Sequence, residues 1–230
     1  MTRLLLISLA ALLLLAPAAS ADRRLSDERT ETRWANVNDA TPVREAPDHA
    51  APAVARLRYS TEDGLPEVYL ALRSRTVQGR EWVEVRVPGR PNGRTGWVRR
   101  PALGPLHVIR TSLVVDRRRF RATLFEDGRR IWSSRVGVGA PGTPTPRGRF
   151  YVRQKLRNLA GSPIYGPWAF GTSAYSVLSD WPGGGVVGIH GTDQPQLLPG
   201  RVSHGCVRVP NRAIARLARL MPVGTPVRIR

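Results

Sequence analysis

Cysteine is nearly absent from this chain: there is one, Cys206, in 230 residues. A lone cysteine closes no disulfide within the chain, so it is a free thiol or pairs with another chain. Lysine is equally scarce. Of 36 basic residues only Lys155 is a lysine, and 17 acidic residues leave a net charge of +19. The arginines are scattered and form no single stripe. The charge therefore reads equally as affinity for a polyanion and as a solvated arginine-rich surface. Beyond the first 21 residues, no stretch approaches the roughly 20 apolar residues of a membrane-spanning helix. No acidic residue follows a histidine in the H-E-x-x-H manner of a metalloprotease helix.

The N-terminus, "MTRLLLISLAALLLLAPAASADRR", places Arg3 before an apolar run from Leu4 to Ala16 and ends in Ala19-Ser20-Ala21. That is the layout of a secretory signal peptide over residues 1–21, cut before Asp22, with an uncleaved anchor as the second reading. No cysteine lies at the cut, which argues against a lipid anchor. The expected mature protein is exported, to the periplasm or the cell-wall space, with no transmembrane segment. A polyanionic partner there is an anionic cell-wall polymer, acidic glycan or lipid head group, not nucleic acid. Exported proteins normally use cysteines in disulfide pairs, so an unpaired one calls for a reason.

Residues 22–40 are polar and without clear period, and read as a loose lead-in. Residues 41–103 read as all-β: "EVYLALRS" alternates Val68, Leu70 and Leu72 with Tyr69, Ala71 and Arg73, and Trp82 to Val87 and Gly96 to Val98 flank a Pro/Gly/Asn turn. "PALGP" (101–105) reads as a linker, so the second domain spans 104–230. It begins as a strand running to Val115. "FRATLFE", Asp127-Gly128 and "RRIWSSRVGVG" then continue an antiparallel meander, with Asp-Gly as the hairpin signal. One helix follows late: Ile214, Leu217, Leu220 and Met221 share a face, Asn211 suits the N-cap, Pro222 ends it, and "TPVRIR" closes as a strand.

Two stretches bear on the cysteine. "VVGIHGT" puts His190 at the end of an apolar strand, and Ser203-His204-Gly205-Cys206 follows after twelve residues. A strand end, a loop and a return can set His190 beside Cys206. A thiol becomes nucleophilic on deprotonation, and a neighbouring imidazole lowers its pKa and takes the proton. Backbone N–H groups are the usual donors to the resulting oxyanion, and Gly205 lets a substrate approach the backbone closely. Taken singly, each residue also has a plainer reading. His190 could be a core histidine, Cys206 an inert thiol, His204 structural, and Asn211 a cap. Tyr165, Trp168 and Trp181 could wall a groove or fill the core. Two histidines and a thiolate could also hold zinc. The close spacing of His204 and Cys206 makes that the weakest reading, and neither metal nor cofactor is expected.

Taken together, "IHGT … SHGCVRVPN", the upstream "VGVGAPGTPTPRGRF" and the closing "LMPVGTPVRI" resemble the L,D-transpeptidase catalytic family, the YkuD-type domain, over roughly residues 106–230. Residues 41–103 more loosely resemble a bacterial SH3-like domain through Val43-Arg44, Trp82 to Val85 and Gly96-Trp97-Val98. The first resemblance implies an antiparallel β-sandwich with one C-terminal helix, and the second a small SH3-like β-barrel before it. It also implies Cys206 as nucleophile and His190 as general base oriented by the Gly191 carbonyl. The oxyanion hole would come from the amides around His204, Gly205 and Cys206. Arg208 would hold a substrate carboxylate, and Ser203, Trp168 and Tyr165 would contact substrate. The partners implied are peptidoglycan stem peptides, as donor and acceptor, joined 3-3 through a thioester with release of D-alanine. Water as acceptor would give an L,D-carboxypeptidase, and a free D-amino acid or a protein amine would give exchange or anchoring. A non-catalytic peptidoglycan-binding protein is the rival from another class.

Overall fold

The computed structural model describes residues 22–157, 161–180 and 182–230. The expected signal peptide and Trp181 lie outside them. The architecture is mainly β, as expected, with two sheets and one α-helix among the described residues.

The first sheet contains β1 (Arg23–Arg24), β2 (Thr32–Asn36), β3 (Pro42–Arg44), β4 (Ala53–Arg56), β5 (Val68–Val77), β6 (Arg80–Arg86), β7 (Thr95–Arg99) and β8 (His107–Ile109). Its order is β4-β3-β7-β6-β5-β2-β8, with β1 pairing to β5 off this path. Side chains alternate across a strand, and β5 uses both of its faces. Tyr69 and Ala71 enter the core of this sheet with Val83, Val85 and Val98, while Val68 and Leu70 pack on Tyr151 of the second sheet.

Two boundaries differ from the sequence reading. Residues 22–40 are no loose lead-in: they carry β1 and β2, and β2 pairs with both β5 and β8. Five residues, "TRWAN", are too few to display a period, although Ala35 is buried in one core and Trp34 packs beside another. The stretch 101–105 is likewise built in, with Leu103 bridged to Val37 and the Gly104 N–H donating to the Asn36 carbonyl at 3.0 Å. The expected strand up to Val115 breaks at Arg110, and its first part, β8, belongs to the first sheet.

The second sheet contains β9 (Thr111–Asp116), β10 (Arg121–Glu126), β11 (Arg129–Arg135), β12 (Gly137–Gly139), β13 (Gly148–Arg157), β14 (Trp168–Tyr175), β15 (Val186–His190), β16 (Gly200–Ser203), β17 (Val207–Arg208) and β18 (Pro226–Ile229). Its order is β11-β10-β9-β18-β13-β14-β15-β17-β12-β16. The β9–β11 meander is antiparallel, and Asp127 and Gly128 turn between β10 and β11 with φ of 48° and 75°. The expectation of an antiparallel sheet fails at three pairs. β9–β18, β12–β16 and β15–β17 run parallel, each joining segments separated by enough chain for a crossover.

The helix α1 (Asn211–Leu220) buries Ile214, Leu217 and Ala218 against this sheet's core. Pro210, not Asn211, holds the N-cap position, and Asn211 is the first helical residue. Its side chain serves the loop after His190 instead.

The two sheets share an apolar contact of Val68, Leu70 and Tyr151 with Trp34, Leu72 and Val223 around it. Gly224 closes it. With φ of +84°, a Cβ there would lie 2.3 Å from Trp34 Cδ1. Strained backbone and overpacking together predict that Gly224→Ala loses roughly 2–4 kcal/mol. Thermal unfolding checks this, and an unchanged Tm would mean that Trp34 moves aside freely.

Candidate active site

Strand β15 ends in His190, and β17 begins one residue after Cys206. The parallel pairing of Ile189 with Val207 and His190 with Arg208 brings the two segments side by side. Gly188 lies between the two reactive side chains. A Cβ on it would stand 3.4 Å from His190 Cδ2 and 3.7 Å from Cys206 Sγ. Its N–H donates to Cys206 Sγ at 3.3 Å. Both side chains line a cavity of about 110 Å³, together with Tyr165, Gln154 and Asp63.

His190 is buried, at 3% exposure. Its Nδ1–H donates to the Gly191 carbonyl at 2.6 Å, which fixes the tautomer and leaves Nε2 with its lone pair. Burial lowers its pKa to about 4; the Gly191 bond opposes this, and the Arg208 charge adds to it. Burial pushes the Cys206 thiol up, against the Gly188 N–H and Arg208, which both favour the thiolate. The sequence reading expected a thiol depressed by its imidazole. Burial instead raises the thiol and lowers the imidazole, which disfavours both charged forms.

The turn carrying the thiol is fixed from below. Ser203 Oγ donates to the Cys206 carbonyl at 2.6 Å and accepts the Gly205 N–H at 3.2 Å. Gly205 has φ of +120°, and a Cβ on it would meet Ser176 Oγ at 3.0 Å. Ser176 Oγ in turn donates to the His204 carbonyl at 3.0 Å. Ser203, expected to touch substrate, is therefore a buried strut whose hydroxyl is taken up by the turn. The Gly205 amide, expected in the oxyanion hole, faces that hydroxyl. The His204 side chain is exposed, while His190 is buried.

The remaining expected site residues separate. Tyr165 lines the cavity and meets the His190 ring edge-on at 5.1 Å between centroids. Trp168 does not line it. Its ring lies under Lys155 and Arg157, and it reaches the site only through its carbonyl, which accepts the Gly191 N–H at 3.2 Å. Arg208 stands beside the cavity, with Nη1 donating to Gln194 Oε1 at 3.2 Å. Among the described residues, no three His, Cys, Asp or Glu side chains gather as a metal site.

Several participants were not read from the sequence in the part they play. Asn211 Oδ1 accepts the Thr192 N–H at 2.8 Å and pins the loop that follows His190. Ser176, Leu178 and Gly184, beside the cavity-lining Gly183, are held from the first sheet. Arg90 donates to the carbonyls of Ser176, Leu178 and Gly184 at 2.7, 2.9 and 3.1 Å. Asn92 pairs with both backbone groups of Tyr175, at 2.7 and 2.8 Å. The Arg90 and Asn92 contacts span more than 80 residues of sequence, so no short window reveals them.

The Cys206 thiol and the oriented His190 imidazole thus share one small cavity on a β-rich scaffold. The L,D-transpeptidase catalytic domain model (YkuD) matches residues 110–229, more than half of the chain, and the chain belongs to that family. The YkuD protein of Bacillus licheniformis is 34% identical over 106 residues, covering 46% of this chain and 57% of that protein. The YkuD protein of Bacillus subtilis is 35% identical over 94 residues, covering 41% and 50%. The chain thus spans about half the length of the curated relatives it matches. Among solved structures, the catalytic domain of an Enterococcus faecium L,D-transpeptidase is 27% identical, with 52% of this chain and 96% of that one covered, at a TM-score of 0.42.

Proposed function

We propose that the protein is an exported peptidoglycan L,D-transpeptidase that forms 3-3 cross-links through a thioester on Cys206. The observation that carries this reading is the pairing, in one cavity, of the Cys206 thiol with a His190 imidazole whose tautomer is set by Gly191. His190 Nε2 takes the thiol proton as sulfur attacks the carbonyl between the third stem residue and the terminal D-alanine. The collapsing intermediate expels the D-alanine amine, which takes that proton from His190, and a thioester remains. The side-chain amine of a second stem then attacks the thioester and gives its proton to His190. The thiolate leaves and recovers that proton as a thiol. Because the Gly205 N–H points to Ser203 Oγ, the oxyanion role falls to the neighbouring amides of the same turn.

Arg208 supports the reading through its field: a cation beside the site favours thiolate over imidazolium at no cost in substrate contact. The test is incubation of the protein with a disaccharide-tetrapeptide, followed by mass spectrometry. A dimer lighter by one D-alanine is expected. Loss of D-alanine without dimer would assign water as the acceptor and a carboxypeptidase. No product from folded protein, with a second stem chemistry also tried, would favour a peptidoglycan-binding protein.

A further inference from the structure

The cavity that holds the thiol is closed on one side by the first sheet. The segment between β4 and β5 reaches over β13 and β14 and brings Asp63 to the cavity wall, where it is the only acidic side chain among the lining residues. Its position is built. Thr61 Oγ1 donates to Gln154 Oε1 at 2.6 Å, which orients the amide so that its Nε2 donates to Asp63 Oδ2. Gln154 is itself buried and wedged over Gly171, where a Cβ would come within 2.7 Å of its side chain. The loop is tied internally by Thr61 N–H to the Leu65 carbonyl at 2.8 Å and Leu65 N–H to Thr61 Oγ1 at 3.2 Å. Among the described residues Asp63 enters no ion pair, in a chain whose basic residues outnumber its acidic ones by 36 to 17. Asp63 is exposed, one of its carboxylate oxygens accepts from a neutral amide, and no cation among the described residues pairs with it.

We infer that Asp63 is a specificity residue that binds the primary ammonium of a diamino acid in the substrate. The rest of the cavity wall offers that group no counter-charge: Tyr165, Phe170, Leu156, Ala169 and Val186 are neutral. A carboxylate facing an ammonium at the rim of the cavity gives a charge-assisted hydrogen bond, whereas a neutral amide in the same place gives a weaker one. The first sheet is then part of the substrate site and not only a neighbouring module. The inference rests on the transpeptidase reading above. The ammonium can come from the donor stem or from the acceptor stem.

Thioester formation on the full chain, followed by intact-mass spectrometry, isolates the donor. The probes are a tetrapeptide stem with its third-residue side-chain amine free and the same stem with that amine acetylated. Wild type is expected to acylate about tenfold faster with the free amine, the scale of one hydrogen bond to a charged group. Asp63→Asn, which keeps an acceptor for Gln154, is expected to bring that ratio close to one, and Asp63→Glu to restore part of it. Added salt is expected to reduce the wild-type preference. The acceptor is isolated by challenging a preformed thioester with a free-amine stem, where a transfer rate about tenfold lower in Asp63→Asn would assign the ammonium to the acceptor. Equal acylation by both probes in wild type, together with equal transfer in wild type and Asp63→Asn, overturns the inference while leaving the transpeptidase reading intact. No thioester from either probe in wild type overturns that reading and the inference with it.

Discussion

Cys206→Ala is expected to lower thioester formation and cross-linking at least about 10³-fold, the scale set by removing a nucleophile from a covalent mechanism. The fold should survive, because Ser203 Oγ holds the turn through the Cys206 carbonyl and not through sulfur. Intact-mass spectrometry of acylated protein and the circular dichroism of both samples separate chemistry from folding. A variant that folds and still cross-links would remove Cys206 from the mechanism. The protonation states add a second signature. Burial holds the thiol up, so alkylation by iodoacetamide is expected to keep rising through pH 7–9 without the neutral-pH plateau of a preformed thiolate–imidazolium pair. Burial holds His190 down at about 4, so it stays a competent base until the pH falls to about 4, where the acid limb of acylation belongs. The same shift has a stability consequence. Between about 6.5 and 4 the unfolded imidazole binds a proton that the folded one refuses, so stability falls as pH falls through that window. An acid limb of acylation near 6.5 would mean that His190 is not the base or is not buried during turnover.

The candidate site was legible in the sequence because it sits in two short windows. "GIHGT" and "SHGCVR" carry the thiol, the imidazole and the Gly191 carbonyl that orients it, and strand pairing needs only to lay them side by side. The hairpin at Asp127-Gly128 and the helix over Asn211–Leu220 were legible for the same reason, since each is a local pattern. The support of the site was not. Ser203 looked like a substrate contact because it precedes the nucleophile, yet its burial turns its hydroxyl inward to two backbone groups. Trp168 looked like a groove wall, but two cations cover its ring. Asp63, Arg90 and Asn92 lie in loops of the first sheet and meet the site only through tertiary contacts. β2 was missed because five residues flanked by two partners need no amphipathic period. The first sheet as a whole, read as an appended module, is tied to the second by side chains that look like ordinary surface charges in sequence.

The strongest of those ties is the Arg153–Glu67 pair, with side-chain exposures of 1% and 0%. Arg153 Nε donates to Glu67 Oε1 at 2.9 Å, its Nη2 meets Glu67 Oε2, and its Nη1 reaches Glu62 Oε2 at 2.9 Å. Tyr175 Oη donates to Glu62 Oε1 at 2.6 Å and accepts from Arg153 Nη1 at 3.1 Å. Burial pushes the Glu62 carboxyl up, but the Tyr175 hydroxyl and Arg153 outweigh it and hold its pKa at about 2. Glu67→Ala removes the bidentate partner and leaves a buried guanidinium with Glu62 as its remaining carboxylate and the Tyr175 hydroxyl as a neutral partner. The expected loss is about 3–5 kcal/mol, the penalty for breaking a buried pair from one side. In a chain of this size that is a Tm lower by roughly 10 °C. Replacing both partners by apolar residues, Glu67→Leu with Arg153→Met, is expected to recover much of the loss, because the penalty comes from the stranded charge more than from the lost attraction. Thermal unfolding of Glu67→Leu, Arg153→Met and the double variant makes this a closed cycle. A double variant as unstable as Glu67→Ala would show that the pair itself carries the stability. Because Glu67 anchors the segment that presents Asp63, Glu67→Ala should also weaken any preference for a free substrate amine, while Gly224→Ala, on the far side of the shared contact, should not.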